Sequence, residues 1–203
     1  MNADTPSTQL PDEDSRTEQG DTATPGAPGA PGQPAVRSAT ATADGAGATE
    51  RLEVSRLIPA PAGAVFAVLT DPQGHVDIDA SGMLLDAEGE RARRPGDRFV
   101  VHMDREALGD VPLGRYDVEV VITALIPDEE IAWTVEARGQ QFGHIYGYRL
   151  QPEQAGTLVT SYYDWSAAAA EWKARVTFPV IPESALKATL GILERTVRRR
   201  SAG

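Results

Sequence analysis

The stretch Arg115-Tyr116-Asp117-Val118-Glu119-Val120-Val121-Ile122-Thr123-Ala124-Leu125-Ile126 decides the fold class. Tyr116, Val118, Val120, Ile122, Ala124 and Ile126 fall on one parity, and Arg115, Asp117, Glu119 and Thr123 on the other. A period of two with one apolar and one charged side describes a strand buried on one face and wet on the other, the mark of an antiparallel sheet. Pro127-Asp128-Glu129 then turns the chain into Glu130 to Ala137, where Ile131, Trp133 and Val135 alternate with Ala132, Thr134 and Glu136.

Outward from this pair the same grammar repeats. Arg51 to Ile58, Met83 to Ala87, Arg98 to Asp104, His144 to Leu150 and Thr157 to Trp165 read as further strands, giving about seven. Between the first two, Ala60 to Leu69 reads as a short helix started by Pro61, and Asp71-Pro72 stops it. Gly74 to Gly82 is polar and turn-like, with room for a second helical turn. The chain closes on Pro182-Glu183-Ser184, a start signal, followed by Leu186, Leu190, Leu193 and Val197 on one stripe of a long amphipathic helix. Many short strands and one long helix exclude a doubly wound parallel sheet and predict an α+β domain. In it a curved antiparallel sheet wraps around the C-terminal helix, with one or two short helices after the first strand.

Residues 1–50 take no part in this pattern. They hold no aromatic residue, they carry a Pro-Gly-Ala run from Pro25 to Gly32, and their acids outnumber their bases eight to two. Such a stretch buries too little apolar surface to offset the entropy of ordering it, so it is expected to be a disordered acidic tail before a domain spanning 51–203. The whole chain carries a formal charge of −11. An acidic domain argues against nucleic acid as a partner. The basic run Arg195 to Arg200 reads as a helix end that suits the negative pole of the macrodipole. No stretch approaches a membrane span, no signal peptide opens the chain, and cysteine is absent; a cytoplasmic location fits these features.

Several motifs in this order resemble a known family. They are Ile58-Pro59-Ala60-Pro61 with Val65-Phe66, Leu69 and Asp71-Pro72; His75 with Asp77, Asp79, Ser81 and Gly82; Gly96-Asp97-Arg98-Phe99; Ile131-Ala132-Trp133; Gly156-Thr157-Leu158-Val159-Thr160; and Tyr163-Asp164-Trp165-Ser166. Across about Leu52 to Val197 the chain resembles the START-like, or SRPBCC, helix-grip superfamily, and within it the bacterial polyketide cyclase/dehydrase and lipid-transport-like proteins. The resemblance implies a hydrophobic-ligand pocket under the C-terminal helix. It does not select a reaction.

The candidate pocket residues are Tyr116, Val118, Val120, Trp133, His144, Tyr146, Tyr148, Leu186 and Leu190. If Arg149 faces solvent, His144, Tyr146 and Tyr148 face inward together and set polar groups into an apolar wall. Two readings stand for them: they hydrogen-bond a ligand, or they are satisfied core residues. His75, Asp77 and Asp79 suggest a metal or acid–base site, but their spacing is not that of a helical metal motif and polar loops collect aspartate for turns. No metal and no cofactor is expected, since no phosphate-binding glycine loop and no nucleophile elbow occurs. His102 and Asp104 should face solvent, Asp164 should cap a turn, and Ala167 to Val180 reads either as a cover over the pocket or as packing on the sheet rim.

Three function classes follow. The first is a carrier or sensor that binds a lipid, polyketide or other small apolar molecule. The second is a polyketide cyclase/dehydratase-type enzyme using the same pocket, with His144 as the proton-transfer group and the best catalytic candidate. The third is a protein-interaction domain of the co-chaperone type, which the acidic tail would suit.

Overall fold

A computed structural model describes residues 49–106, 109, 114–137 and 139–202, so nearly all of the expected tail lies outside the described residues. In chain order the elements are β1 (Arg51–Ile58), α1 (Ala62–Leu69), α2 (Pro72–Ile78), β2 (Leu84–Glu88), β3 (Arg98–Asp104), β4 (Arg115–Ile126), β5 (Glu130–Ala137), β6 (Gln140–Gln141), β7 (Ile145–Glu153), β8 (Gly156–Asp164), α3 (Ala170–Lys173) and α4 (Glu183–Ser201). The sheet runs β1-β8-β7-β5-β4-β3-β2, every pair antiparallel, with β6 paired only to the end of β5. This is the expected α+β architecture. The strand beyond the expected seven is the two-residue β6, too short to show a period.

One face of the sheet is apolar and covered. Leu186, Leu190, Leu193 and Val197 of α4 are all buried, as their spacing requires, and α4 packs on β1, β8, α1 and α2. The other face is wet and charged: Arg98 bridges Glu119 and Glu136, and His102 Nδ1 lies 2.7 Å from Asp117. His102 and its neighbours thus face solvent. Asp164 accepts hydrogen bonds from the Ser166 backbone and hydroxyl, the turn role expected of it. No helix among the described residues is long and apolar enough to cross a membrane.

One local reading is sharpened and one corrected. The second helical turn allowed after α1 is a true helix capped by Asp71: its side chain accepts from the Gln73 N–H, and Pro72 occupies the first position. The same dipeptide that stops α1 starts α2. In β4 the parity does not survive to the end of the strand. The register with β5 shifts between Ile122 and Ala124, so Thr123 is an extra residue and the faces exchange beyond it. Leu125 packs against the core while Ile126 is 47% exposed. Leu125→Ala is therefore expected to cost about 1–2 kcal/mol and Ile126→Ala less than about 0.5 kcal/mol in urea denaturation. The uninterrupted pattern predicts the reverse order.

Candidate functional site

The sheet and α4 do not close completely on one another. Between them lies a cavity of about 420 Å³, walled mostly by apolar atoms. β3 supplies Val101 and Met103, β4 supplies Val118 and Val120, and Leu186 from the first turns of α4 forms the opposite wall. Strand parity explains the apolar lining, since every second residue of a one-sided sheet must face this way.

Of the residues expected in the pocket, Tyr116, Val118, Val120 and Trp133 line it, as do His144, Tyr146, Tyr148 and Leu186. Leu190 does not. It is one turn beyond Leu186, where α4 is already closed against α1, α2 and β1, and it is part of the packed core at 1% exposure. Arg149 does point outward, to Glu53, which sends Tyr146 and Tyr148 to the inner face. Gly147 between them is covered from outside by Tyr162: a Cβ there would lie 2.4 Å from the Tyr162 ring.

Tyr163 stacks on the Tyr146 ring at 4.3 Å and 5°, and its Oη lies 3.2 Å from His144 Nδ1. Burial raises Tyr146, Tyr148 and Tyr163, the last to about 12, so they stay protonated. Burial, with the nearby Arg105 charge, lowers His144 to about 4, so its imidazole is neutral near pH 7.

The cluster expected at His75, Asp77 and Asp79 is dispersed. α2 turns His75 into the cavity wall, where its Nε2 donates to the Leu69 carbonyl at 2.9 Å and its ring meets Phe99 and Trp133 edge-on. Burial lowers His75 to about 4. Asp77 pairs instead with Arg200 at 2.9 Å, and Asp79 accepts from Ser81 and the Leu84 N–H. Among the described residues no group of three or more histidines and carboxylates is placed to hold a metal.

Sequence reading singles out His75 as a metal or acid–base candidate and not as a pocket residue, and it omits Arg105. The Asp71-Pro72 start signal puts His75 on a helix with Ile78 one turn on, also at the cavity. Arg105 lines the cavity at 9% exposure. It continues the parity of Phe99, Val101 and Met103, one residue beyond the strand expected over Arg98 to Asp104.

Residues of two segments, Gly74 to Gly82 and Ala167 to Val180, border the cavity. Ile78 and Ser81 lie on one side, and Trp172, Val176 and Phe178 on the other. Trp172 packs edge-on against Phe142 at 4.4 Å and 79°. Lys173 fastens α3 to the start of β1 through Glu50, 2.8 Å away. The segment packs on the rim of the cavity.

Comparison with known proteins bears on the architecture. No family model and no curated protein matches the chain. Solved structures do. A protein from Rhodobacter sphaeroides is similar at TM-score 0.54 and 17% identity, over 76% of this chain and 96% of its own. The KanY protein gives 0.52 and 16%, over 73% of this chain and 97% of its own. An AHSA1-like protein from Aeromonas hydrophila gives 0.50 and 14%, over 75% and 95%. The chain has the helix-grip fold. At such identities the likeness carries the architecture and no activity, so the helix-grip domain must be read from its own cavity.

Proposed function

We propose that this helix-grip domain is a binding module that holds a small apolar molecule, of lipid, polyketide or similar chemistry, as a carrier or sensor. The observation that carries the reading is the largely apolar cavity between β3–β5 and α4, whose volume is in the range of small-molecule sites. Polar side chains such as His75, His144 and Tyr146 interrupt an otherwise apolar lining, as in sites that orient a largely apolar guest.

The cyclase/dehydratase reading finds support in one feature, the Tyr163–His144 contact, which resembles an oriented proton-transfer pair. Burial works against it. A histidine lowered to about 4 is a weak base at neutral pH, where a general base works best with a value near the operating pH. Binding is the better-supported function.

Val120→Trp should fill the middle of the cavity. Native mass spectrometry of the purified wild type should show a small molecule bound one to one and released on denaturation, and the variant should lack it while keeping its circular dichroism. An empty wild type that no panel of apolar compounds stabilises would rule out the binding reading. Turnover that vanishes on His144→Ala while binding persists would establish the enzyme instead.

A further inference from the structure

The two rims of the cavity are held in different ways. On the α2 side, Asp71 and Asp77 both pair with Arg200, at 2.8 and 2.9 Å, and Gly74 lies against the Val68 carbonyl with no room for a Cβ. On the other side, α3 is a single turn in which no residue is buried and no side chain caps the N-terminus. Trp172 meets Phe142 edge-on, and Lys173 donates to both oxygens of Glu50 at 2.8 Å and to the Ser166 carbonyl at 3.1 Å.

The residues that follow α3 have space on both sides. Arg175, Val176 and Phe178 line the cavity of about 420 Å³, and the same three line a second hollow of about 570 Å³ bordered by Thr49, Leu52 and Trp165. A close-packed layer cannot move without displacing its neighbours, whereas a wall between two spaces can. This wall also carries a cost in its present position. The Trp172 indole N–H can only donate, and it is buried without a hydrogen-bond partner among the described residues. Turned outward, it would regain a bond to water. Buried unsatisfied donors are rare and call for a reason, and a part that moves supplies one.

We propose that residues 172–178 form the gate of the cavity, swinging into the second hollow to admit the ligand, with the Lys173–Glu50 pair as its catch. Segments that open are drawn from those with little buried apolar contact. The catch is a partly exposed ion pair, so salt weakens it. The α2 rim stays fixed. The gate closes over the empty and the filled cavity alike, so its ease of opening sets the speed of exchange and leaves affinity unchanged.

The proposal rests on the cavity being a ligand site, and the test separates the two. N-phenyl-1-naphthylamine, a neutral apolar fluorophore, is mixed with the full-length protein in a stopped-flow fluorimeter, and association and dissociation rates are read separately. Ala174 borders the second hollow and not the cavity, so Ala174→Trp takes up the space the gate needs. Both rates should fall together, by about fivefold or more, with Kd unchanged. Lys173→Met releases the catch. Both rates should then rise about two- to fivefold, again with Kd unchanged, and the wild type at high salt should approach this variant. If Ala174→Trp does not fold, Lys173→Met and the salt series decide. Rates that stay at the wild-type values overturn the gate and leave the ligand site standing. A change in only one of the two rates does the same, because it places the segment in the binding wall. No saturable uptake of the fluorophore, or uptake that Val120→Trp does not abolish, overturns the ligand site and the gate together.

Discussion

Gly74→Ala is expected to destabilise the protein by about 3 kcal/mol or more, lowering Tm by about 10 °C. Helix propensity alone argues the opposite, since alanine in place of glycine inside a helix gains about 1 kcal/mol. Geometry reverses the sign. A Cβ at Gly74 would lie 1.9 Å from the Val68 carbonyl oxygen and 3.3 Å from Asp71 Cβ. The first of these is backbone, at the end of α1, and no rotamer change relieves it. α2 must then move away from α1, taking His75 off the Leu69 carbonyl and Ile78 off the cavity wall. The loss should therefore appear in ligand stabilisation as well as in urea denaturation. Gly191→Ala in α4 is the control. A Cβ there meets nothing within 4 Å, so this change should stabilise by up to about 1 kcal/mol. Equal stabilisation by both substitutions would show that α1 and α2 do not approach as closely as described.

These two glycines show where sequence reading stops. Periodicity reports which face of an element is buried, and it correctly places α4 and most of β4 because each has one neighbour layer. It does not report how near two backbones come, which is a tertiary fact, so nothing separates Gly74 from Gly191 in the sequence. The bulge at Thr123 is of the same kind. It keeps the apolar composition of β4 and moves only its phase, and Leu125 and Ile126 are interchangeable by composition. At the cavity the aromatic wall was legible from the parity of β4, β5 and β7. The contact between Tyr163 on β8 and His144 was not, because it joins β8 to the residue before β7 and no period reports it. Tyr163 was visible as a motif residue, but its link to His144 spans 19 positions. Arg105 lies one residue past the strand expected to end at Asp104, so the parity of Phe99, Val101 and Met103 was not carried on to it.

Stability is expected to fall steeply as pH drops from about 6.5 towards 4, before most carboxylates titrate. His75 and His144 are both held near 4 in the folded protein, against 6.5 for an ordinary histidine, chiefly by burial. The unfolded chain therefore takes up protons first. The stability these neutral histidines contribute is complete above about 6.5 and is lost as pH falls through the window to about 4, up to about 3 kcal/mol for each. His75 has Asp71 as its nearby charge, which opposes the burial effect, and His144 has Arg105, which adds to it. His102 has the opposite sign. Asp117 and Glu88 raise it, so it favours the folded state below about 6.5, but it is exposed to solvent and its share is screened. Asp97, Glu136 and Asp164 are lowered and lose stability in the same direction, in a lower window set by ordinary carboxylates. Urea denaturation at a series of pH values should give a slope approaching two protons near pH 5, reduced by whatever His102 returns. His75→Phe should remove about one proton from that slope, even though losing the bond to Leu69 lowers stability at every pH. A flat profile between pH 7 and 5 would mean that water reaches both imidazoles and that burial does not hold them neutral.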